Sequence, residues 1–132
     1  MDNTLDLTPT QQLEQTLPPT LQGLSPTIKH HEPGKVSLHI PFAPQLIAAN
    51  GQICCATYTA LACFAMQIAS QLPSEALSIQ TINTRLEQRI AQHDILIQAQ
   101  VLRRGRTLIF GDIKAYNPSK QLMAHSTCTY AL

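Results

Sequence analysis

The chain has 132 residues, of which 44% are hydrophobic and 13% charged, and its formal net charge is +1. That describes a single globular domain with a real core and excludes a disordered chain. So small a charge makes no electrostatic case for nucleic acid or an anionic membrane, and 5% aromatic residues with no tryptophan supply no base-stacking platform.

In chain order, the opening MDNTLDLTPTQQ is acidic and polar, unlike a signal peptide. Thr8-Pro9-Thr10-Gln11 resembles a capping box and predicts a short amphipathic helix from Pro9 to Leu17, stopped by Pro18-Pro19. Thr20 to Pro26 reads as a connection, and His30-His31 beside Glu32 as surface loop. Residues 1–34 are thus a helix and lead-in, and residues 35–132 the core of one domain.

In KVSLHIPF, Val36, Leu38, Ile40 and Phe42 alternate with Ser37, His39 and Pro41, which predicts a half-buried strand. A loop from Ala43 ends in a turn at Asn50-Gly51. A helix is then expected from about Cys54 to Leu72. Cys54, Tyr58, Leu61, Ala65, Ile68 and Leu72 recur at helical spacing, and the opposite face is small and uncharged. Such a helix is surrounded by protein. The uncharged run from Val36 to Ser74 is broken by Pro41, Pro44, Asn50, Gly51, Gln67 and Gln71. Its apolar part falls short of the roughly 20 residues of a membrane span.

LSIQTINTRLEQRI, HDILIQAQVLRR, RTLIFGDIKAYN and KQLMAHSTCTYAL read as four successive strands. The expected class is α+β: one long central helix wrapped by a curved antiparallel meander, with one strand ahead of the helix. One such sheet cannot enclose a helix alone, so a partner subunit is expected, in a homodimer or homotetramer. Cys54, Cys55, Cys63 and Cys128 form neither C-x-x-C nor a zinc pattern. They read as small hydrophobes in a reducing, cytoplasmic setting, with no metal and no cofactor expected.

Two motifs carry a family resemblance over Lys35 to Leu132. Gly51, Ile53, Leu61 and Ala62 fit the G-x-v-H-G-G-a-x-x-x-L-x-D-like start of a central helix, and Val101-Leu102-Arg103-Arg104-Gly105-Arg106-Thr107-Leu108 fits v-L-R-x-G-R-x-L. The ending from Ala124 to Tyr130 also fits. The chain resembles the hotdog-fold acyl-CoA thioesterases of the phenylacetyl-CoA and hydroxybenzoyl-CoA type. The resemblance implies that fold and a CoA or acyl-carrier-protein thioester as substrate or ligand. It also implies departures at every catalytic position. The family's His-Gly-Gly falls on Cys54-Cys55-Ala56, its helical acid on Cys63, and its asparagine near Ala48, with Asn50 a possible replacement.

Thioester hydrolysis needs a base or nucleophile and donors for the oxyanion. The first amides of the helix, at Cys55 and Ala56, are natural donors. Cys54 and Cys63 are the candidate nucleophiles, with Asn50 beside them; the alternative is that both thiols are packing and Asn50 is a turn residue. Thr57 and Tyr58 offer hydroxyls to an acyl carbonyl, unless Tyr58 only fills the core. Arg103, Arg104 and Arg106 are candidates for the CoA phosphates, against a solvated hairpin or a salt bridge. His39, His93 or His125 could activate a thiol only through tertiary contact, and Asp94 and Asp112 are expected on strands, exposed or paired with arginines. Three functions follow: a thioesterase, a non-catalytic binder of acyl thioesters or small apolar molecules, and an oligomeric scaffold.

Overall fold

A computed structural model of the protein describes residues 21–72, 78–88 and 92–132. Its elements are β1 (Thr27–Glu32), β2 (Lys35–Ile40), α1 (Cys55–Ser70), β3 (Ser78–Leu86), β4 (Ile95–Arg104), β5 (Leu108–Tyr116) and β6 (Leu122–Ala131). The strands form one antiparallel sheet in the order β1-β2-β4-β5-β6-β3. The helix lies on one face of it, over β4, β2 and β5. No helix among the described residues is long and apolar enough to cross a membrane. The expected helix at Pro9–Leu17 lies outside the described residues.

Period-two patterning decides which sheet face meets the helix. Val36, Leu38 and Ile40 on β2, Ile95, Ile97 and Ala99 on β4, and Ile109, Ile113 and Ala115 on β5 are all buried. Between them stand Ser37, His39, Gln98, Gln100, Asp112 and Lys114, on the outer face. Strand β2 ends at Ile40, one residue before Pro41, which has no N–H for the ladder.

Three expectations need correction. Two strands precede the helix, not one. Strand β1, TIKHHE, is almost wholly exposed and shows no apolar alternation, so its sequence reads as loop. His30 and His31 sit on that strand, paired opposite Ser37 and Val36. Second, the meander has three strands, β4-β5-β6. Strand β3 crosses over to pair with β6 at the sheet edge. Its nine residues include none that is fully buried, as fits an edge that the helix does not cover. Third, the helix runs from Cys55 to Ser70, with Cys54 as N-cap and Gln71 closing it in the left-handed region at φ 60°.

Both helix ends are tied down, the start to the loop before it and the end to the sheet layer. At the start, the Cys54 N–H donates to the Leu46 carbonyl over 2.9 Å. At the end, the Gly34 N–H donates to the Ala69 carbonyl over 3.1 Å, and the Arg104 guanidinium to the Ser70 carbonyl over 2.6 Å. These donors take up carbonyls that an α-helix leaves unpaired, and the cation also complements the negative end of the dipole.

Close approach of helix and sheet needs small residues on both sides. Leu61 and Ala65 are fully buried, and Ala62, Met66 and Ala69 lie beside them on the sheet-facing side. Opposite Met66, β5 carries Gly111. A Cβ there would stand 2.3 Å from Met66 Cε and 2.9 Å from Cys128 Sγ. Gly111→Ala should therefore cost about 1–3 kcal/mol of overpacking strain. Chemical denaturation should show the midpoint falling without a change in slope; an unchanged midpoint would mean Met66 moves aside freely.

Candidate functional site

The start of α1 is built by a folded-back loop. The Asn50 side-chain oxygen accepts the Gln52 N–H over 3.0 Å, and Gly51 follows at φ 80°. The Gly51 N–H donates to the Ala48 carbonyl, and the Ala48 N–H to that of Gln52. Asn50 thus makes the turn that aims the chain at the helix, and its carbonyl oxygen is occupied there.

Cys54 caps the helix with its sulfur near the Thr57 hydroxyl and the Thr57 and Ala56 amides. The Thr57 hydroxyl contributes most to holding the Cys54 pKa below the ordinary thiol value, followed by the Thr57 amide, against a small opposing effect of burial. The one Thr57 hydroxyl proton is, however, donated to the Gln45 carbonyl over 2.9 Å. The amides therefore carry the lasting part of the effect, as expected where backbone N–H groups are unpaired. None of these contacts is a full side-chain capping hydrogen bond. Cys55 and Ala56 are exposed at the same end.

Tyr58 turns the other way. It is buried, and its hydroxyl points to the Met123 sulfur at 3.7 Å, inside the core. Burial raises its pKa well above the ordinary phenol. Between Tyr58, Ala62 and Ile113 lies a void of about 10 Å³, room for at most one water and far too small for an acyl chain.

The helix keeps one half-open stripe: Ala56, Thr59, Ala60, Cys63 and Gln67. Cys63 lies two turns in, about 12 Å along the axis from the first helical residue. Burial pushes its thiol pKa up, with the Tyr130 hydroxyl pulling the other way. Tyr130 is 3% exposed, and its hydroxyl is buried without a hydrogen-bond partner among the described residues. The Tyr130 hydroxyl and the Cys63 sulfur are close neighbours. Cys128 is buried beside them, and its thiol is pushed up to about 12, by burial first and by Cys63 second.

No histidine stands by these thiols as a base. His39 and His125 project from the outer face, with the sheet between them and the helix. His39 Nε2 lies 3.0 Å from Asp94, which also accepts the Phe42 N–H over 2.8 Å. The Phe42 amide first, and His39 second, hold the Asp94 carboxyl below its usual range. His125 pairs with Asp112. His93 contacts the Asp94 carbonyl at 2.8 Å. Asp94 and Asp112 are thus paired with histidines, not arginines, and Asp94 precedes β4 rather than standing on it. Cross-strand register, invisible before pairing is known, puts Asp112 beside His125.

The arginines lie at the other end of α1. Arg104 is held on Ser70, bordering an open groove lined also by Gly34, Gln71, Leu72 and Val101. Arg103 and Arg106 are exposed on the β4–β5 hairpin. The structure therefore brings Cys54, Cys55, Ala56 and Thr57 together with Asn50 nearby, puts Cys63 with Tyr130 and Cys128, and keeps the arginines apart from both. Tyr130 carried no sequence signal as a site residue, because its place beside Cys63 depends on how helix and sheet are packed.

No protein-family model matches the chain, and no curated protein matches it either. Solved structures do. Zebrafish thioesterase superfamily member 2 is 23% identical, with a TM-score of 0.78 over 91% of this chain and 91% of its own. The Haemophilus influenzae thioesterase HI1161 is 16% identical, with a TM-score of 0.79 over 95% and 90%. A hypothetical thioesterase from Streptococcus pneumoniae, solved with coenzyme A, is 13% identical, with a TM-score of 0.73 over 80% and 84%. The chain shares the hotdog fold with these proteins.

If the amides at the helix start act on the Cys54 sulfur as described, its thiolate forms at lower pH than that of Cys63 or Cys128. Alkylation by iodoacetamide, followed peptide by peptide by mass spectrometry from neutral to alkaline pH, should reach half its limiting rate earliest at Cys54. The reverse order would remove the electrostatic reading of this helix end.

Proposed function

We propose that this protein binds acyl thioesters of coenzyme A or of an acyl-carrier protein, in a slot completed by a second copy of the chain, with little or no hydrolysis. The fold shared with thioesterases supports the ligand class. The observation that carries the binding reading is an exposed helix start at Cys55 and Ala56 together with a thiol, Cys63, whose pKa burial raises. The first can hold a carbonyl oxygen; the second is a poor base and a poor nucleophile.

One protomer cannot offer both to one thioester, because about 12 Å of helix separates them. Two antiparallel helices side by side could set the amides of one protomer against Cys63 of the other. The half-open stripe of small residues suits such an approach. The two sheet edges differ in the same sense. Strand β1 carries Lys29, His30, His31 and Glu32, which discourage strand addition. Strand β3 carries only Arg85, with Ile79 48% and Leu86 39% exposed. A homodimer joined at β3 is the smallest assembly that covers this edge. Arg103 and Arg106 are then available to the phosphates of the nucleotide end. The four free thiols fit a reducing, cytoplasmic setting.

A second reading, slow hydrolysis through Cys54, is favoured by the lowered pKa of that thiol alone. Incubation with acetyl-, hexanoyl- and phenylacetyl-CoA tests both. Binding should appear as saturable thermal stabilisation, with thiol release no faster than in buffer. Turnover abolished by Cys54→Ala or Cys63→Ala would replace the binder with an enzyme. Absence of both stabilisation and turnover would exclude the ligand class and favour a scaffold. Arg106→Ala should weaken CoA thioesters more than the corresponding free acids; equal weakening would end the phosphate role.

A further inference from the structure

A buried hydroxyl without a partner costs about 1–3 kcal/mol, so such a group in a folded protein calls for a physical reason. Among the described residues, Tyr130 Oη is the one buried side-chain polar atom without a partner. The rest of the core meets its demands. Ser70 Oγ donates to the Gln67 carbonyl over 2.7 Å, and Ser126 Oγ and Thr84 Oγ1 lie 2.9 Å apart. Tyr58, the other buried tyrosine, has the Met123 sulfur.

Tyr130 is set against Cys63, on the half-open stripe of α1. A thiol is a weak acceptor and leaves most of the hydroxyl's demand unmet. Burial raises the Tyr130 pKa far above the ordinary phenol, so the group stays protonated and remains a donor. Cys128 is its other neighbour, and that thiol is no better an acceptor. Cys63 itself is half-open to solvent, so an oxygen acceptor has an approach to this hydroxyl past that small side chain.

We infer that Tyr130 Oη is the donor for the acyl carbonyl oxygen of a bound thioester, uncovered when the Cys63 side chain turns about its single χ1. This rests on the binding function proposed above and adds to it a residue and a selectivity. The site favours ligands with an oxygen acceptor at the acyl carbon over thioethers of the same shape. Phe at position 130 would keep the packing and lose only the donor.

The test compares the full-length protein with Tyr130→Phe by calorimetric titration. The ligands are whichever of acetyl-, hexanoyl- and phenylacetyl-CoA binds tightest, and the S-alkyl-CoA thioether of the same carbon skeleton. Without ligand, Tyr130→Phe should melt at the same temperature as the parent or higher, because no internal bond is lost. Its affinity for the thioester should fall roughly fivefold, the range of one net hydrogen bond, while its affinity for the thioether stays the same. A lower melting temperature, or failure to fold, would mean that the hydroxyl already has a partner, a fixed water included, and would overturn the inference. So would equal losses for both ligands, no loss for either, or a shift to monomer in sedimentation, which would put the acceptor on a second copy. If the parent protein binds neither ligand, the proposed function falls and the inference falls with it. If the parent binds both and the variant fails to discriminate, only the inference falls.

Discussion

A helix without one charged residue has to be covered, and the structure is organised around doing so. Between Cys55 and Ser70 the only polar side chains are Thr57, Tyr58, Thr59, Gln67 and Ser70, with the thiols of Cys55 and Cys63. Such a helix gains little from its own surface in water. Its stability comes from the apolar face pressed on β2, β4 and β5. Gly111 lets that face come close, and Gly34, Leu46 and Arg104 hold the ends. Every other feature of the fold is arranged relative to this one contact.

The same constraint shapes the chemistry. A carboxylate on this helix would have to be kept charged beside apolar neighbours; the Cys63 thiol, whose pKa burial raises, needs no such support. The cost of burying an ionised group is avoided by not having one. The helix offers groups that need no titration: backbone amides at its start and hydroxyls and thiols along it. They can orient a carbonyl, but they cannot easily take a proton from water. The outer face holds the titratable pairs, His39 with Asp94 and His125 with Asp112, with the sheet between them and the helix.

Much of the fold was legible in the residues, for identifiable reasons. Strand β2 and the three meander strands alternate clearly because one face of each is buried, and the helix advertised itself by lacking charge. Strand β1 was not legible. Its side chains meet solvent, so no alternation was selected, and only its pairing with β2 makes it a strand. The place of β3 beside β6 was equally hidden, since crossover connections leave no periodic trace. Site residues divided along the same line. Asn50, Cys54, Cys55, Ala56 and Thr57 are neighbours in sequence and stayed neighbours in space. Tyr130 and Cys63 are far apart in the chain, and the contact between them exists only through packing.

The fastening of Arg104 onto Ser70 carries a consequence for anything anionic that settles near the β4–β5 hairpin. That guanidinium is already engaged by the Ser70 carbonyl at the end of the long helix. A phosphate recruiting it would strip this helix end of one of its two clasps, leaving Gly34 on Ala69, and its net affinity would be reduced by whatever the lost clasp contributes. Anion occupancy and fraying of the final turn are therefore linked as two sides of one equilibrium, whichever of the two is perturbed first.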